Sequence, residues 1–256
     1  QAGEVDVVVH GGDISYARGY LAVWDFFLDM ISPLASRVLY LTTTGNHEAD
    51  WPNSPTIYNQ SDSGGECDVM TTTLIPMPEP ATTNKPWWSY NVGLFHFVGM
   101  STEHDFSTCS EQYLFLENDL ATVNRTETPW VIFQGHRAMY VSSTWDDDVS
   151  WSDGSVQKAL IANIEPLLWK YQVNVGFWGH NHVYQRQSAV LQEQVVQHSS
   201  TRVNTQGQSV NWYEIPQATV EIVAGNAGAS FSNNSWPVNP TWCEYVSSFW
   251  GYHVVK

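Results

Sequence analysis

Apolar residues recur along the chain with two different periods, and together they predict alternating strands and helices. Short runs of β-branched or aromatic residues, bounded by glycine, proline or polar residues, are typical of strands. Such runs predict strands at residues 5–9, 37–44, 131–133, 173–178 and 220–224, and two strands within 88–100 that turn at Asn91-Val92-Gly93.

Two segments have the 3.6-residue spacing of an amphipathic helix. The first is predicted over residues 21–31, and Pro33 is expected to end it because proline lacks a backbone N–H. The second is predicted from an N-cap at Ser110 to Val123. Its apolar stripe is expected to face the core and consists of Tyr113, Leu114, Leu116, Leu120 and Val123.

Two polar stretches are predicted to be irregular. Residues 51–86 are rich in Pro, Thr, Asn and Gly, which favours a long loop over a functional site. Residues 185–208 are rich in Gln, Ser and Thr, which favours a loop or an exposed hairpin. The alternation of the other elements predicts a mixed α/β sheet, and a length of 256 residues allows one large domain with a substantial core.

Side chains able to bind metal ions follow several of the apolar runs. Each set begins with glycine, as expected of a sharp loop leaving the carboxyl end of a strand, where open α/β sheets place their ligands. Singly, each has an ordinary interpretation, such as a turn aspartate or a surface His-x-His pair. Together they favour a site for a pair of metal ions. The sets are Gly12-Asp13-Ile14-Ser15-Tyr16, Gly45-Asn46-His47-Glu48, Gly135-His136-Arg137 and Gly179-His180-Asn181-His182.

These sets resemble the purple acid phosphatases, which belong to the calcineurin-like metallophosphoesterases, and most closely their plant-type branch. Ser/Thr protein phosphatases share the Asp and Asn-His-Glu loops but lack a tyrosine at the position of Tyr16. The resemblance implies a four-layer α/β/β/α sandwich with two mixed sheets and a missing first strand, without the N-terminal β-sandwich of that branch. It extends over residues 14–20, 62–67, 84–90 and 135–140.

The same resemblance implies a division of ligands between two metals. A phenolate suits Fe(III), whereas an amide oxygen with two imidazoles suits a divalent ion such as Zn, Mn or Fe(II). Hydroxide bound to this pair would attack a phosphomonoester, so no Ser or Cys nucleophile is required. In this scheme Asp13 bridges both metals, Tyr16 and His182 bind the first, and Asn46, His136 and His180 bind the second.

Residues that contact the phosphate are predicted less directly. The resemblance gives His47 a role in substrate binding or proton transfer, the alternative being an outer-shell residue that orients a ligand. Asn46 and Arg137 complete the predicted substrate contacts. Arg137 and Arg186 are the nearest basic candidates, although an ion pair is the commoner role for each. The family's pair of histidines is replaced by residues 143–148, Ser-Thr-Trp-Asp-Asp-Asp, which leaves the general acid open.

The family's first loop, Asp-x-Gly, has no counterpart upstream of Asp13. We therefore expect a single catalytic domain over residues 1–256 that is truncated at both ends. The missing ligand and the missing histidine pair keep two alternatives open besides an acid phosphatase. One is a nucleotide pyrophosphatase or phosphodiesterase, and the other is a degenerate, non-catalytic phosphate-binding protein.

The acidic composition restricts the partners. A formal net charge of −16 argues against binding to nucleic-acid polymers or to anionic membranes, because like charges repel. No apolar run reaches the roughly 18 residues needed to span a bilayer. The expected partner is a small-molecule phosphate ester, and a homodimer is left open.

The cysteines and the Asn-x-Ser/Thr triplets are relevant to the cellular compartment of the protein. Cys67, Cys109 and Cys243 are odd in number, so they allow at most one intrachain disulfide, and packing is the other interpretation. Asn-x-Ser/Thr triplets begin at Asn59, Asn124 and Asn233. These triplets favour the secretory route and hence a secreted glycoprotein enzyme.

Overall fold

The computed structural model describes residues 5–144, 155–232, 234–235 and 240–254, which form strands and helices in alternation. The helices of this part are α1 (Leu21–Ala35), α2 (Asn46–Ala49), α3 (Val69–Leu74), α4 (Glu111–Thr122), α5 (Ser155–Asn163) and α6 (Glu165–Lys170). The strands are β1 (Val7–His10), β2 (Leu39–Thr42), β3 (Trp88–Val92), β4 (Phe95–Gly99), β5 (Trp130–Gln134), β6 (Ser143–Thr144), β7 (Val175–Trp178), β8 (Tyr184–Leu191), β9 (Gln194–Gln197), β10 (Ser200–Val203), β11 (Ser209–Trp212), β12 (Val220–Ala224), β13 (Asn234–Ser235) and β14 (Cys243–Ser247).

The largest sheet has eight strands, in the order β14-β8-β12-β7-β5-β4-β3 with β9 paired to β8. Its centre is parallel, since β12, β7, β5 and β4 run in one direction, whereas β8, β14 and β3 pair antiparallel to their neighbours. A smaller sheet pairs β1 with β2 in parallel. Parallel strands place their carboxyl ends at one edge of a sheet, so the loops that follow them lie close together.

Residue alternation along the strands explains how the two sheets pack. Phe97 of β4 and Ile132 of β5 cluster with Leu41 of the smaller sheet. Their neighbours Val98 and Phe133 point to the opposite face and join the cluster that contains the apolar residues of α4, α5 and α6. Successive side chains of a strand project to opposite faces, which gives this result directly. The sheets are therefore packed face to face, with helices on the outer side of the larger one.

Helix α1 covers the outer face of the smaller sheet. Its fully buried Trp24 packs with Ile14 and with Tyr40, which lies next to Leu41 in β2 and points the other way. The order of layers is thus α1, the two-stranded sheet, the eight-stranded sheet, and α4 to α6. This four-layer mixed α/β arrangement confirms the expected fold class.

Pro33 does not end the first helix, contrary to the prediction, because α1 continues to Ala35. Proline at this position removes the N–H that would bind the carbonyl of Asp29. The hydroxyl of Ser32 donates a hydrogen bond of 3.0 Å to that carbonyl instead. The side chain thereby replaces the missing backbone donor, and the helix gains one further turn.

The polar stretch at residues 185–208 was predicted wrongly in its first part. It contains β8, which lies between β12 and β14, and only from Ser200 does it form an exposed hairpin of β10 and β11. Gln187 of β8 is fully buried and donates to the carbonyl of Tyr140 at 3.0 Å. Buried polar side chains are compatible with a central strand when they are hydrogen-bonded in this way.

Other elements predicted from the sequence are confirmed, with small differences. The Ser110 hydroxyl accepts a hydrogen bond from the N–H of Tyr113, as expected of an N-cap for α4. Leu114 is an exception to the predicted core stripe, because it is 53% exposed. The predicted loop at 51–86 contains the short helix α3.

All three cysteines are unpaired in the structure. Cys67 and Cys243 are partly buried and Cys109 is exposed. Among the helices of the described residues, none is long and apolar enough to cross a membrane.

Candidate metal centre

The four predicted ligand loops meet at one place. They follow β1, β2, β5 and β7, whose carboxyl ends lie together. Glycine allows the first two loops to approach closely. Gly12 has a φ of +82°, a region in which side chains are strained, and a Cβ at Gly45 would collide with the carboxylate of Asp13.

One group of donor atoms comes from three of these loops. The Asn46 Oδ1 atom lies 3.0 Å from His136 Nε2 and 3.0 Å from His180 Nδ1, and the two imidazole nitrogens are 3.1 Å apart. The atoms therefore form a nearly equilateral triangle of one oxygen and two nitrogens. This is the set expected to bind the divalent metal.

A second group surrounds the Tyr16 hydroxyl, which lies 3.1 Å from Asp13 Oδ2 and 2.9 Å from His182 Nε2. The other oxygen of the same carboxylate, Asp13 Oδ1, lies 3.2 Å from His136 Nε2 in the first group. Asp13 thus joins the two groups. All six predicted metal ligands are brought together, in the division that the sequence resemblance implies.

The donor chemistry fits metal ions. Nδ1 of His136 lies 2.7 Å from the Gly11 carbonyl, which can only accept, so this nitrogen carries a proton. In the neutral ring, Nε2 then presents a lone pair to the oxygens of Asp13 and Asn46. A shared cation would satisfy this cluster of acceptors in place of a proton on the ring. The oxygen of Asn46 and the nitrogens of His136 and His180 lie 3.0–3.1 Å apart, close enough to share one ion.

Electrostatics at the centre follow from burial and from one strong attraction. Burial opposes the charged form of both Asp13 and His136, but their mutual attraction prevails. It raises the pKa of His136 to about 9 and lowers the pKa of Asp13 well below its ordinary range. Burial and the nearby Arg137 hold the pKa of His180 well below its usual value, so this imidazole is neutral and can bind a metal.

Glu48 organises the first two loops through its carboxylate. The backbone N–H groups of Asp13 and Ile14 each donate to it at 2.7 Å, and that of Gly45 donates at 3.0 Å. Burial, followed by repulsion from Asp13, raises the pKa of Glu48 to about 8. This buried side chain therefore fixes the loops that carry the bridging carboxylate and the amide ligand.

Asp62 was not among the predicted site residues. Its Oδ2 atom accepts a hydrogen bond of 2.8 Å from the side-chain nitrogen of Asn46, so the amide oxygen of Asn46 faces the two histidines. The signal was present in the sequence, because Asp62 begins the segment 62–67 that carries part of the family resemblance. Which ligand it contacts could be seen only in three dimensions.

His47 lies half-buried beside the second donor group. Its backbone N–H donates to Asp13 Oδ1 at 3.1 Å, and its ring lies 4.3 Å from the Tyr16 ring between centroids. Its Nδ1 atom is buried without a hydrogen-bond partner among the described residues. Burial lowers the pKa of His47. The position of the half-buried ring beside Tyr16 is consistent with the predicted role of His47 in substrate binding or proton transfer, which stays a prediction.

Both candidate arginines form ion pairs. Arg137 is 2% exposed, and its guanidinium contacts Glu103 at 2.9 Å and Asp50 at 3.0 Å. Arg186 pairs with Glu244 at 2.9 Å. Contact of Arg137 with phosphate stays a prediction. The acidic run at 146–148 lies outside the described residues.

Comparisons with known proteins agree with this geometry. The family model for the calcineurin-like phosphoesterase matches residues 1–184. The chain is 36% identical over 97% of its length to a probable inactive purple acid phosphatase 27 of Arabidopsis thaliana, and covers 38% of that protein. It is 33% identical over 96% of its length to a nucleotide pyrophosphatase/phosphodiesterase of Hordeum vulgare, and covers 64% of it.

A purple acid phosphatase from yellow lupin (Lupinus luteus) seeds has a similar solved structure. The TM-score is 0.83 at 34% identity, over 97% of this chain and 41% of the lupin chain. The chain therefore spans less than two thirds of the length of each of these relatives.

Proposed function

The chain belongs to the calcineurin-like phosphoesterase family, and from this premise we propose that it is a binuclear-metal hydrolase of phosphomonoesters, of the acid phosphatase type. The proposed cofactors are Fe(III) and a divalent metal, Zn, Mn or Fe. The substrate is a small phosphate ester. The family establishes phosphoester chemistry in general, and the finer assignments rest on the site.

The observation that carries the proposal is the pair of donor groups that share Asp13. The first offers Asn46, His136 and His180, and the second offers Tyr16 and His182. When bound, two neighbouring metals polarise a phosphate and lower the pKa of a coordinated water. To such a centre the chain would contribute a carboxylate shared by both groups, a phenol whose anion suits Fe(III), and a softer set that suits a divalent ion.

His47 is the proposed contact to the phosphate. Its ring is half-buried beside Tyr16, which leaves it able to hold a phosphate oxygen or to pass a proton to the leaving group. Its backbone is fixed by the hydrogen bond to Asp13, so the ring is held close to the metal groups. Asn46 and Arg137 are retained as proposed substrate contacts.

An acidic pH optimum is part of the proposal. The formal net charge of −16 at pH 7 repels an anionic ester, and protonation of carboxyl groups at lower pH weakens that repulsion. The proposed location is outside the cell. Asn59 and Asn124, the two sequon asparagines within the described residues, are exposed and accessible to glycosylation.

A nucleotide pyrophosphatase or phosphodiesterase is the second candidate function. The similarity to the barley protein of that name favours it, and a metal pair can also attack a diester. The two activities differ in the leaving group and in the charge of the phosphate. Substrate comparison is therefore the direct way to separate them.

The test compares hydrolysis of p-nitrophenyl phosphate, bis-p-nitrophenyl phosphate and a dinucleotide by metal-replete, full-length protein. The proposal expects a marked preference for the monoester, and a preference for the diester or dinucleotide would favour the second candidate. The matched control is Asn46→Ala, which removes one ligand oxygen. Hydrolysis no faster than this control would reject catalysis and leave a phosphate-binding protein.

A further inference from the structure

A second feature lies at the edge of the sheet that carries the metal groups. Ser247, the last residue of β14, and Ala224, the last residue of β12, both pair with Tyr184 at the start of β8. Tyr184 comes two residues after the ligand His182. The segments that follow β12 and β14 therefore leave the sheet beside the metal centre.

These two segments are joined by hydrogen bonds. The side-chain amide of Asn226 donates to the carbonyl of Phe249 at 2.7 Å, and the N–H of Gly251 donates to the carbonyl of Asn226 at 3.0 Å. The indole N–H of Trp250 donates to the carbonyl of Ala229 at 2.9 Å. The position of residues 249–251 is thus fixed relative to the loop after β12.

The same loop holds a metal ligand. Nδ1 of His182 is hydrogen-bonded to the carbonyl of Ser230, and its backbone N–H donates to the hydroxyl of Ser232 at 2.9 Å. Phe231 lies between these two residues. Its ring stacks on that of Trp250, with 5.1 Å between centroids and 27° between planes.

The stacked pair borders the site with an uncharged aromatic surface. Trp250 is 67% exposed and Phe249 beside it is 80% exposed, in a chain with a formal net charge of −16. Aromatic faces attract planar aromatic groups through stacking and the burial of apolar area, and they carry no formal charge.

We propose that Phe231 and Trp250 form a leaving-group subsite, at which a planar aromatic group of the phosphate ester stacks while its phosphate lies at the metal groups. The inference rests on the proposed function and narrows its substrate class to aryl and nucleoside esters. Aryl esters and nucleoside esters both carry a planar aromatic group. The pair acts as a specificity determinant, because it contacts the part of the ester that does not react.

The test uses metal-replete, full-length protein and four monoesters. Phenyl phosphate and adenosine monophosphate carry an aromatic group, whereas glycerol 2-phosphate and ribose 5-phosphate do not. Trp250→Ala is expected to lower kcat/KM for the aromatic esters on the order of tenfold and for the other two by less than about twofold. Loss for phenyl phosphate alone or for adenosine monophosphate alone identifies which aromatic source the subsite takes.

Controls separate stacking from structure. Trp250→Phe keeps an aromatic face and is expected to retain much of the preference. Trp130→Ala is the matched control, because Trp130 is 50% exposed and is the first residue of β5, whereas the candidate metal groups follow the carboxyl end of that strand. Equal loss for all four esters in Trp250→Ala, or no aromatic preference in the wild type, overturns the proposal while leaving the hydrolase intact.

A binding measurement keeps the two proposals distinguishable. If no ester is hydrolysed, the proposed function fails, and calorimetric titration with adenosine monophosphate and ribose 5-phosphate still tests the subsite. Tighter binding of the nucleotide that is lost in Trp250→Ala supports it. Equal affinity for the two ligands rejects it.

Discussion

The side chain of Asn46 is oriented by Asp62, whose carboxylate accepts a hydrogen bond of 2.8 Å from the amide nitrogen. An amide can bind a metal only through its oxygen, so this bond selects the productive orientation of the ligand. Loss of an outer-shell partner typically reduces metal affinity about 10- to 100-fold. We therefore expect Asp62→Ala to weaken divalent-metal binding by that factor, measured by competition with a chelator.

The control for this variant is Asp25→Ala, which removes an exposed carboxylate from α1 without touching the site. Both variants lose one negative charge, so long-range electrostatics change equally. Equal metal affinity in the two variants would show that Asp62 does not orient the ligand.

Colour tests the assignment of Tyr16. Burial, followed by Asp13, raises the pKa of Tyr16 above its ordinary value, so the hydroxyl is protonated in the metal-free protein and donates to Asp13. Only a bound metal would displace this proton. We expect iron-loaded protein to have an absorption band in the visible range that is absent from Tyr16→Phe and from the metal-free protein. Zinc in both positions of the native protein would contradict this assignment.

The sequence predicted those site residues whose own side chains can bind a metal ion. Asp13, Asn46 and the three histidines predicted as ligands stand in short motifs after apolar runs, so their convergence followed from strand topology. Asp62 acts only through another side chain. Its partner depends on how residues 51–62 fold back, which no local pattern specifies.

The fold shows the same division. Short runs of β-branched and aromatic residues predicted β4 and β5, in which four of five residues are buried. Gln187 in β8 and Pro33 in α1 contradicted the local rules. The buried amide of Gln187 donates a hydrogen bond to the carbonyl of Tyr140. Beside Pro33, the hydroxyl of Ser32 donates to the carbonyl that the proline leaves without a backbone donor. Sequence patterns report burial and propensity, whereas such compensating bonds become visible only with coordinates.

Glu48 should be important for stability before any metal binds. Glu48→Ala leaves three backbone N–H groups without their acceptor, and an unsatisfied buried donor costs about 1–3 kcal/mol. We expect the free energy of unfolding of the metal-free protein to fall by about 3 kcal/mol or more, measured by urea denaturation. Glu48→Gln keeps one acceptor oxygen and should lose less.

Glu111→Ala is the comparison for this experiment, because Glu111 is an exposed carboxylate in a surface ion pair with Lys85. Such pairs contribute about 0–1 kcal/mol. A decrease for Glu48→Ala as small as that for Glu111→Ala would exclude a structural role for the carboxylate.

Glu221, which is not among the predicted metal ligands, should make the free energy of unfolding depend on pH. It is 2% exposed, and burial raises its pKa from 4.5 to about 7, although the indole N–H of Trp178 donates to it. Between pH 4.5 and about 7 the folded protein keeps a proton that the unfolded chain has released. The resulting stabilisation is complete below pH 4.5, decreases across this window and is absent above it.

Glu221→Gln removes this titration but keeps an oxygen that can accept from Trp178. Relative to the wild type, the variant should therefore gain about 3 kcal/mol of unfolding free energy as the pH rises from 4.5 to 7.5, since each pKa unit corresponds to about 1.4 kcal/mol. Urea denaturation at intervals of half a pH unit measures the difference. Glu111→Gln, which changes an exposed carboxylate, should show a nearly constant difference from the wild type. If the Glu221→Gln difference is equally constant, the carboxyl group has the same pKa in the folded and the unfolded protein, and burial does not control its proton.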